Sequence, residues 1–276
     1  MTGAQAARLP GGRLHLHHGP IDLVIDVDGP GREAALAHAT DRFATILDEL
    51  VPELPRLRAA SGPMPDGPVA RRMALATAPF APVFVTPMAA VAGAVADEIL
   101  ATIRSVPGIL KAHVNNGGDV ALYLAPGATA TALIATDPPA RIRLTAADGI
   151  GGIATSGWRG RSHSLGIADS VTVLAATAAA ADAAATLIAN AVDLPGHPAI
   201  TRRPASDIAP DSDLGARPVT IHVGPLSAAD TARALARGTA HAEGLRARGL
   251  VIAAALVLNG ETRTLGQLLP GDPAHA

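Results

Sequence analysis

The sequence predicts an α+β fold in which antiparallel sheets pack against helices. Three observations carry this. Period-two apolar stretches crowd together in RLHLHH, DLVIDVDG, KAHVNN and DVALYL; longer stretches such as REAALAHATDRFATILDEL repeat at helical spacing; and strands and helices come in runs, without the alternation a parallel sheet demands.

Taken in order, RLHLHH (13–18) and DLVIDVDG (22–29) are joined by Gly-Pro and read as an opening hairpin. A helix follows over 32–50, then a Pro/Gly-rich stretch, 51–68, expected to be an irregular surface connection. A helix near 69–78 is stopped by APFAP, and a longer one covers 88–105. KAHVNN, DVALYL, TALIAT and ARIRLT, punctuated by Gly-Gly, Pro-Gly and Pro-Pro, predict a meander of short strands. After a polar excursion over 150–169, SVTVLAA returns as a buried strand and leads straight into an alanine-rich helix. Residues 194–217 are expected to be a loop, and VTIHVG and LVIAAALVLNGE to be strands around a helix near 227–247. A single domain over 1–276, in one or two lobes, accommodates these elements.

Composition narrows the chemistry. With 49% hydrophobic but only 2% aromatic residues, the core must be packed from Ala, Val, Leu and Ile. Lys111 is the sole lysine, so any lysine-dependent mechanism uses it or is excluded. There is no cysteine, which removes disulfides, thiol nucleophiles, zinc-thiolate sites and a persulfide carried on this chain. A net charge of −2 with no basic run speaks against nucleic acid as a partner. No long uninterrupted apolar stretch and no basic-then-apolar leader is evident, so no membrane partner and a cytoplasmic location are expected.

Four places could carry chemistry. On the alanine-rich helix, ADAAATLIAN (181–190), Asp182, Thr186 and Asn190 recur every four residues and form one polar stripe. It is either a solvated edge or a set of hard oxygen ligands suited to Mg²⁺, with Asp182 favoured by the dipole of the early turns. In VNNGGDVALYL (114–124), Gly117, Gly118 and Asp119 read first as a hairpin turn, while Asn115, Asn116 and Asp119 surround a backbone that a ligand could approach. TSGWRGRSHS (155–164) gathers Ser156, Gly157, Arg159, Arg161, Ser162 and His163 around Trp158 and reads as a solvated loop or an anion-binding one. His15, His17 and His18 are read as exposed strand histidines, since no further metal ligand is near in sequence.

Taken in order, TPMAAVAGAVADEI, VNNGGDVAL, GIATSGWRGRSHSLGIADSVTVLA and ADAAATLIANAV resemble the UPF0280 (DUF375) family, a branch related to the ApbE-type FAD:protein FMN transferases, over about residues 13–260. The resemblance implies an ApbE-like, T-fold-like architecture in which Asp182, Thr186 and the carbonyls of Ala185 and Ala90 hold Mg²⁺. By the same match Gly117, Gly118 and Asp119 correspond to the family's Gly-Gly-Asp element, and His163 takes the place of its histidine. Gly93 stands where the family has a Lys or Glu that helps hold FAD, Pro87 stands where it has Asp, and SLGIAD shortens the segment after His163.

The implied function is a Mg²⁺-dependent enzyme acting on a flavin nucleotide or other phosphoanhydride, with Arg159 or Arg161 on phosphate and His163 near the reacting group. Its counterpart is a non-catalytic flavin- or nucleotide-binding accessory protein of sulfur or one-carbon metabolism. FAD or a related nucleotide is the small-molecule partner either way, and a homodimer is compatible with such sheets.

Overall fold

The computed structural model describes residues 3–136 and 139–266. Along the chain, β1 (Gln5–Arg8), β2 (Leu14–His18) and β3 (Ile21–Asp28) lead into α1 (Arg32–Leu50), α2 (Leu54–Leu57), α3 (Pro68–Thr77) and α4 (Val91–Arg104). Strands β4 (Lys111–Asn116), β5 (Asp119–Leu124), β6 (Thr129–Ile134), β7 (Ala140–Thr145), β8 (Gly152–Ser156) and β9 (Ser170–Ala175) precede α5 (Ala178–Ala191). The chain ends with β10 (Ile200–Pro204), α6 (Ala205–Ile208), β11 (Pro218–Val223), α7 (Ala228–Ala247), β12 (Ala253–Leu258) and β13 (Glu261–Leu265). Antiparallel sheets accompanied by helices make this an α+β fold, as the patterning predicts.

Two compact units share the chain. The first comprises 1–130, 144–154 and 175–183, the second 131–143, 155–174 and 184–276. In the first, β1 to β5 pair in order and antiparallel, and β5 then pairs with β8 through Val120–Ile153 and Ala121–Gly152. One face is apolar because the register lines up Leu14, Ile25, Val114 and Ala121. All four are buried, as are Leu36, Phe43 and Ile46 of α1 and Val95, Ile99 and Ile103 of α4. Helix α4 lies on β4 and β5, flanked by α1 and α3.

In the second unit β9, β12 and β13 are antiparallel, and α7 packs on the last two. Asn259 and Gly260, with φ of 52° and 77°, form the tight β12–β13 turn, which needs positive φ at both positions. Ser227 caps α7 by accepting from the Asp230 amide at 3.1 Å.

Several expectations need correction. Residues 51–68 were expected to be irregular throughout, yet a 3₁₀ turn at Val51–Glu53 and α2 carry the helical path on past Leu50. The expected loop over 194–217 contains β10 and α6, because Ile200–Pro204 finds a partner in Pro218–Val223 that only tertiary structure supplies. The meander is broken, since β6 and β7 form a sheet of their own and β5 takes β8 as its neighbour. Strand β1 escaped notice because Gln-Ala-Ala-Arg has no strand pattern; all four residues are exposed. His18 is buried beneath Phe43, not exposed, as the inward register of β2 requires.

Candidate functional site

Helix α5 is nearly all alanine because both of its flanks are buried: from Ala181 to Ala189 only Asp182 and Thr186 keep partial exposure, and Asn190 follows in phase. The polar stripe is therefore where this stretch of the helix keeps its partial exposure. Its three members have different fates.

Asp182 lies in the first unit. Its Oδ2 accepts the Gly93 amide at 3.0 Å, and the Ala92 amide also donates to its carboxylate. These are amides of the first turn of α4, which have no partner within their own helix. The dipole that Asp182 addresses is thus that of α4, where the sequence suggested α5's own. The arrangement is reciprocated. Asp97, on α4, accepts the Ala178 amide on Oδ1 at 3.0 Å and the Ala179 amide on Oδ2 at 2.9 Å, capping the start of α5. Thr177 completes that cap by accepting from the Ala180 amide at 3.2 Å.

The two helices begin against one another. A Cβ at Gly93 would stand 2.3 Å from the Ala178 carbonyl oxygen and 2.6 Å from the Ala179 nitrogen, so only glycine permits this approach. A lysine or glutamate there, as the ApbE pattern has, could not be accommodated. Gly152 likewise lets β8 run against Thr177 and Ala178, where a Cβ would come within 2.2 Å of backbone atoms.

The electrostatics of the two caps diverge. Burial pushes the Asp182 carboxyl well above the usual carboxylate range, and the negative charge of Asp119 pushes it further, against the pull of the Gly93 and Ala92 amides; Asp97 adds to the push. Burial also raises Asp97, but there the two amide donors and the positive charge of Arg72 pull downward. Arg72 is itself held: its Nε donates to Glu98 at 2.9 Å, Arg42 donates to the other Glu98 oxygen at 3.0 Å, and Arg42 reaches Glu49 at 2.8 Å.

Asp119, whose charge acts on Asp182, follows the β4–β5 turn. Gly117 and Gly118 have φ of 65° and 116°, and the Gly118 amide donates to Asn115 Oδ1 at 2.8 Å, closing the turn. Asn116 is buried and donates to the Ala92 carbonyl at 3.0 Å, tying the turn to the start of α4. Both asparagines are thereby structural, whereas the Cα of Gly118 faces open space. Ala90 is fully buried at the entrance to α4. Ala185 and Thr186 fall in the second unit, on the turn of α5 that follows Asp182.

Also in the second unit, Asn190 accepts from the Leu165 amide at 2.9 Å and from Ser164 at 3.3 Å, so the end of the stripe anchors the loop before β9. Ser156 ends β8, and Gly157 lies where a Cβ would press on the Asp169 and Ala168 carbonyls at 2.5 and 2.9 Å. Arg159, a candidate for phosphate, donates its Nε to Asp169 at 2.5 Å, and its guanidinium lies over Trp158, whose ring nitrogen donates to the same Asp169 oxygen at 3.2 Å. Arg161 is exposed and His163 half-buried.

Sequence reasoning missed Asp97. The signal was present as a shared spacing, since Gly93 precedes Asp97 by four residues just as Ala178 precedes Asp182. Among the described residues no cluster of three or more His, Asp or Glu side chains is arranged for a metal, so a cation here would draw on carboxylate, hydroxyl and carbonyl oxygens. Nor is any described helix long and apolar enough to cross a membrane.

The profile of the family described as AbpE bacteria matches residues 6–264. A UPF0280 protein of Methanopyrus kandleri is 37% identical over 177 residues, covering 61% of this chain and 69% of that protein. Another, from Methanothrix thermoacetophila, is 37% identical over 128 residues, covering 45% and 52%. The apo crystal structure of the Pseudomonas stutzeri flavinyl transferase ApbE is 15% identical, with a TM-score of 0.47, 95% of this chain and 93% of that chain being covered.

Proposed function

Because this chain belongs to the UPF0280 family and to the family described as AbpE bacteria, we propose that it binds a flavin nucleotide, FAD or a related phosphoanhydride, through Mg²⁺ and acts on it as a Mg²⁺-dependent transferase. The observation that carries this reading is Asp182: an enclosed carboxylate that accepts the Gly93 amide at 3.0 Å and is pushed up by burial and, further, by the negative charge of Asp119.

The donor set fits a hard dication. Asp182 would hold it, with the carbonyl of Ala90 as a further oxygen from the same unit, while the Thr186 hydroxyl and the Ala185 carbonyl are the other ligands the family resemblance implies; no thiolate is available. When bound, the ion would neutralise a diphosphate and act as a Lewis acid toward it. The chain's own residues do the rest. The first-turn amides of α4 orient the Asp182 carboxylate, so they are not free to cradle a phosphate. Gly118 leaves its backbone open to close approach by a ligand. Gly93 lets the start of α5 lie directly against α4, which is what brings Asp182 to the α4 amides.

The test is incubation of the full chain with FAD, with and without Mg²⁺, followed by mass spectrometry for AMP and for protein-bound FMN. AMP release that depends on Mg²⁺ and is matched by protein-bound FMN supports the transferase, whereas AMP with free FMN contradicts transfer and indicates hydrolysis. Binding of the intact nucleotide without cleavage supports the second reading, an accessory protein, which is favoured by the fact that Asp182 already serves as a helix cap. No effect of any nucleotide contradicts both.

A further inference from the structure

The two caps form one mechanical unit. On each helix the donated amide and the accepting carboxylate sit one turn apart, Gly93 and Asp97 on α4, Ala178 and Asp182 on α5, and the partners are exchanged between helices. The contact at Gly93 leaves no slack for a shift, because the α5 backbone already lies where a Cβ would be. Anything that moves the start of α5 therefore moves Asp182 relative to α4 and Asp119.

We infer that Asp97 is a positioning residue for the Asp182–Asp119 pair: by holding the Ala178 and Ala179 amides it fixes where α5 begins, and so where the Asp182 carboxylate is presented. The inference rests on the cation-binding reading of Asp182. Each Asp97 oxygen accepts one backbone amide, so both of its oxygens are engaged at the start of α5. Its own turn is braced by the neighbouring Glu98, which takes Arg42 from α1 and Arg72 from α3. A chain of ion pairs thus runs from Glu49 through Arg42 and Glu98 to Arg72 and ends beside Asp97, making α4 the fixed member against which α5 is set.

The experiment measures Mn²⁺ affinity of the full chain by titration calorimetry, together with amide hydrogen exchange at Gly93, in the wild type, Asp97→Asn and Val69→Ala. The last truncates a buried α3 side chain and controls for lost stability alone. The expected result for Asp97→Asn is at least a ten-fold loss of Mn²⁺ affinity and faster exchange at Gly93, an amide that Asp97 does not touch, with Val69→Ala showing neither. Should Asp97→Asn fail to fold, Asp97→Ser, which can still accept one amide, takes its place. Wild-type Mn²⁺ affinity and wild-type Gly93 protection in either variant would overturn the positioning role. A wild-type chain that binds no Mn²⁺ would instead overturn the cation reading, and exchange at Gly93 would then alone decide whether Asp97 positions Asp182.

Discussion

Asp97 and Asp182 do the same local job in opposite directions, yet the charges around them are of opposite sign. Asp97 lies nearly two turns into α4 and Asp182 about one turn into α5; each is enclosed, and each accepts backbone amides from the first turn of the other helix. Asp97 has the positive charge of Arg72 nearby; Asp182 has the negative charge of Asp119. A purely structural cap gains nothing from a second carboxylate at its side. On the proposed reading, the asymmetry separates a carboxylate that serves the fold alone from one that also takes a positive partner.

The largest effect should come from closing the gap that both caps require. Gly93→Ala places a methyl group 2.3 Å from the Ala178 carbonyl oxygen, so the helices must part and both caps must lengthen. Overpacking of this kind with the loss of caps costs about 3 kcal/mol or more, readable as a drop in urea midpoint. A stability within about 0.5 kcal/mol of wild type would show that the crossing is looser than described.

Next come the caps themselves. Asp182→Asn keeps an oxygen for the Gly93 amide while removing the charge opposed by Asp119. It is expected to abolish Mg²⁺-dependent turnover and yet leave apo stability at neutral pH unchanged or higher by about 1 kcal/mol. Asp97→Ala has no such gain and should lose about 1–2 kcal/mol. If both substitutions destabilise equally, the asymmetry between the two sites has no energetic content.

Dependence on pH sharpens the same contrast. A carboxyl whose folded pKa is raised contributes its stability in acid, below the unfolded value of 3.8, and loses it as pH rises through the folded value. The stability advantage of Asp182→Asn over wild type should therefore grow as pH rises above about 4 and then level off. Glu49 provides the opposite sign: Arg42 and Thr45 lower it, so its contribution is present above 4.5 and is lost as pH falls. Adding Mg²⁺ should erase the advantage of Asp182→Asn by stabilising only the wild type.

The smallest effect belongs to the far end of the stripe. Asn190→Ala leaves the Leu165 amide without its acceptor and should cost about 1 kcal/mol, with Mn²⁺ affinity unchanged. A large loss of cation affinity would tie Asn190 to the site in a way its hydrogen bonds do not suggest.

How far this could be read from the sequence depended on whether the deciding partner was local. The stripe of Asp182, Thr186 and Asn190 was legible because helical periodicity is local, and so were the glycine turn at 117–118 and the course of α1 and α7. What the stripe faces was not legible. Asp182 meets α4 and Asn190 meets the 164–166 segment, contacts bridging 89 and 25–26 residues of chain. Strand β10 hid for the same reason, its partner being β11 across an intervening helix. The ion pair of Arg159 with Asp169 was not legible either, because it spans ten residues through a loop with no periodicity. Asp97 was overlooked because a single carboxylate on an amphipathic helix ordinarily marks its wet face; only the clash at Gly93 shows that another helix begins there.

The most direct test of the account is calorimetric titration of Mg²⁺ into the wild-type chain and into Asp182→Asn, at neutral pH and without nucleotide. The account predicts saturable binding of one ion by the wild type and none by the variant, with the variant still folded by circular dichroism. Equal binding by both, or none by either, would contradict the claim that Asp182 and Asp119 are held together for a cation.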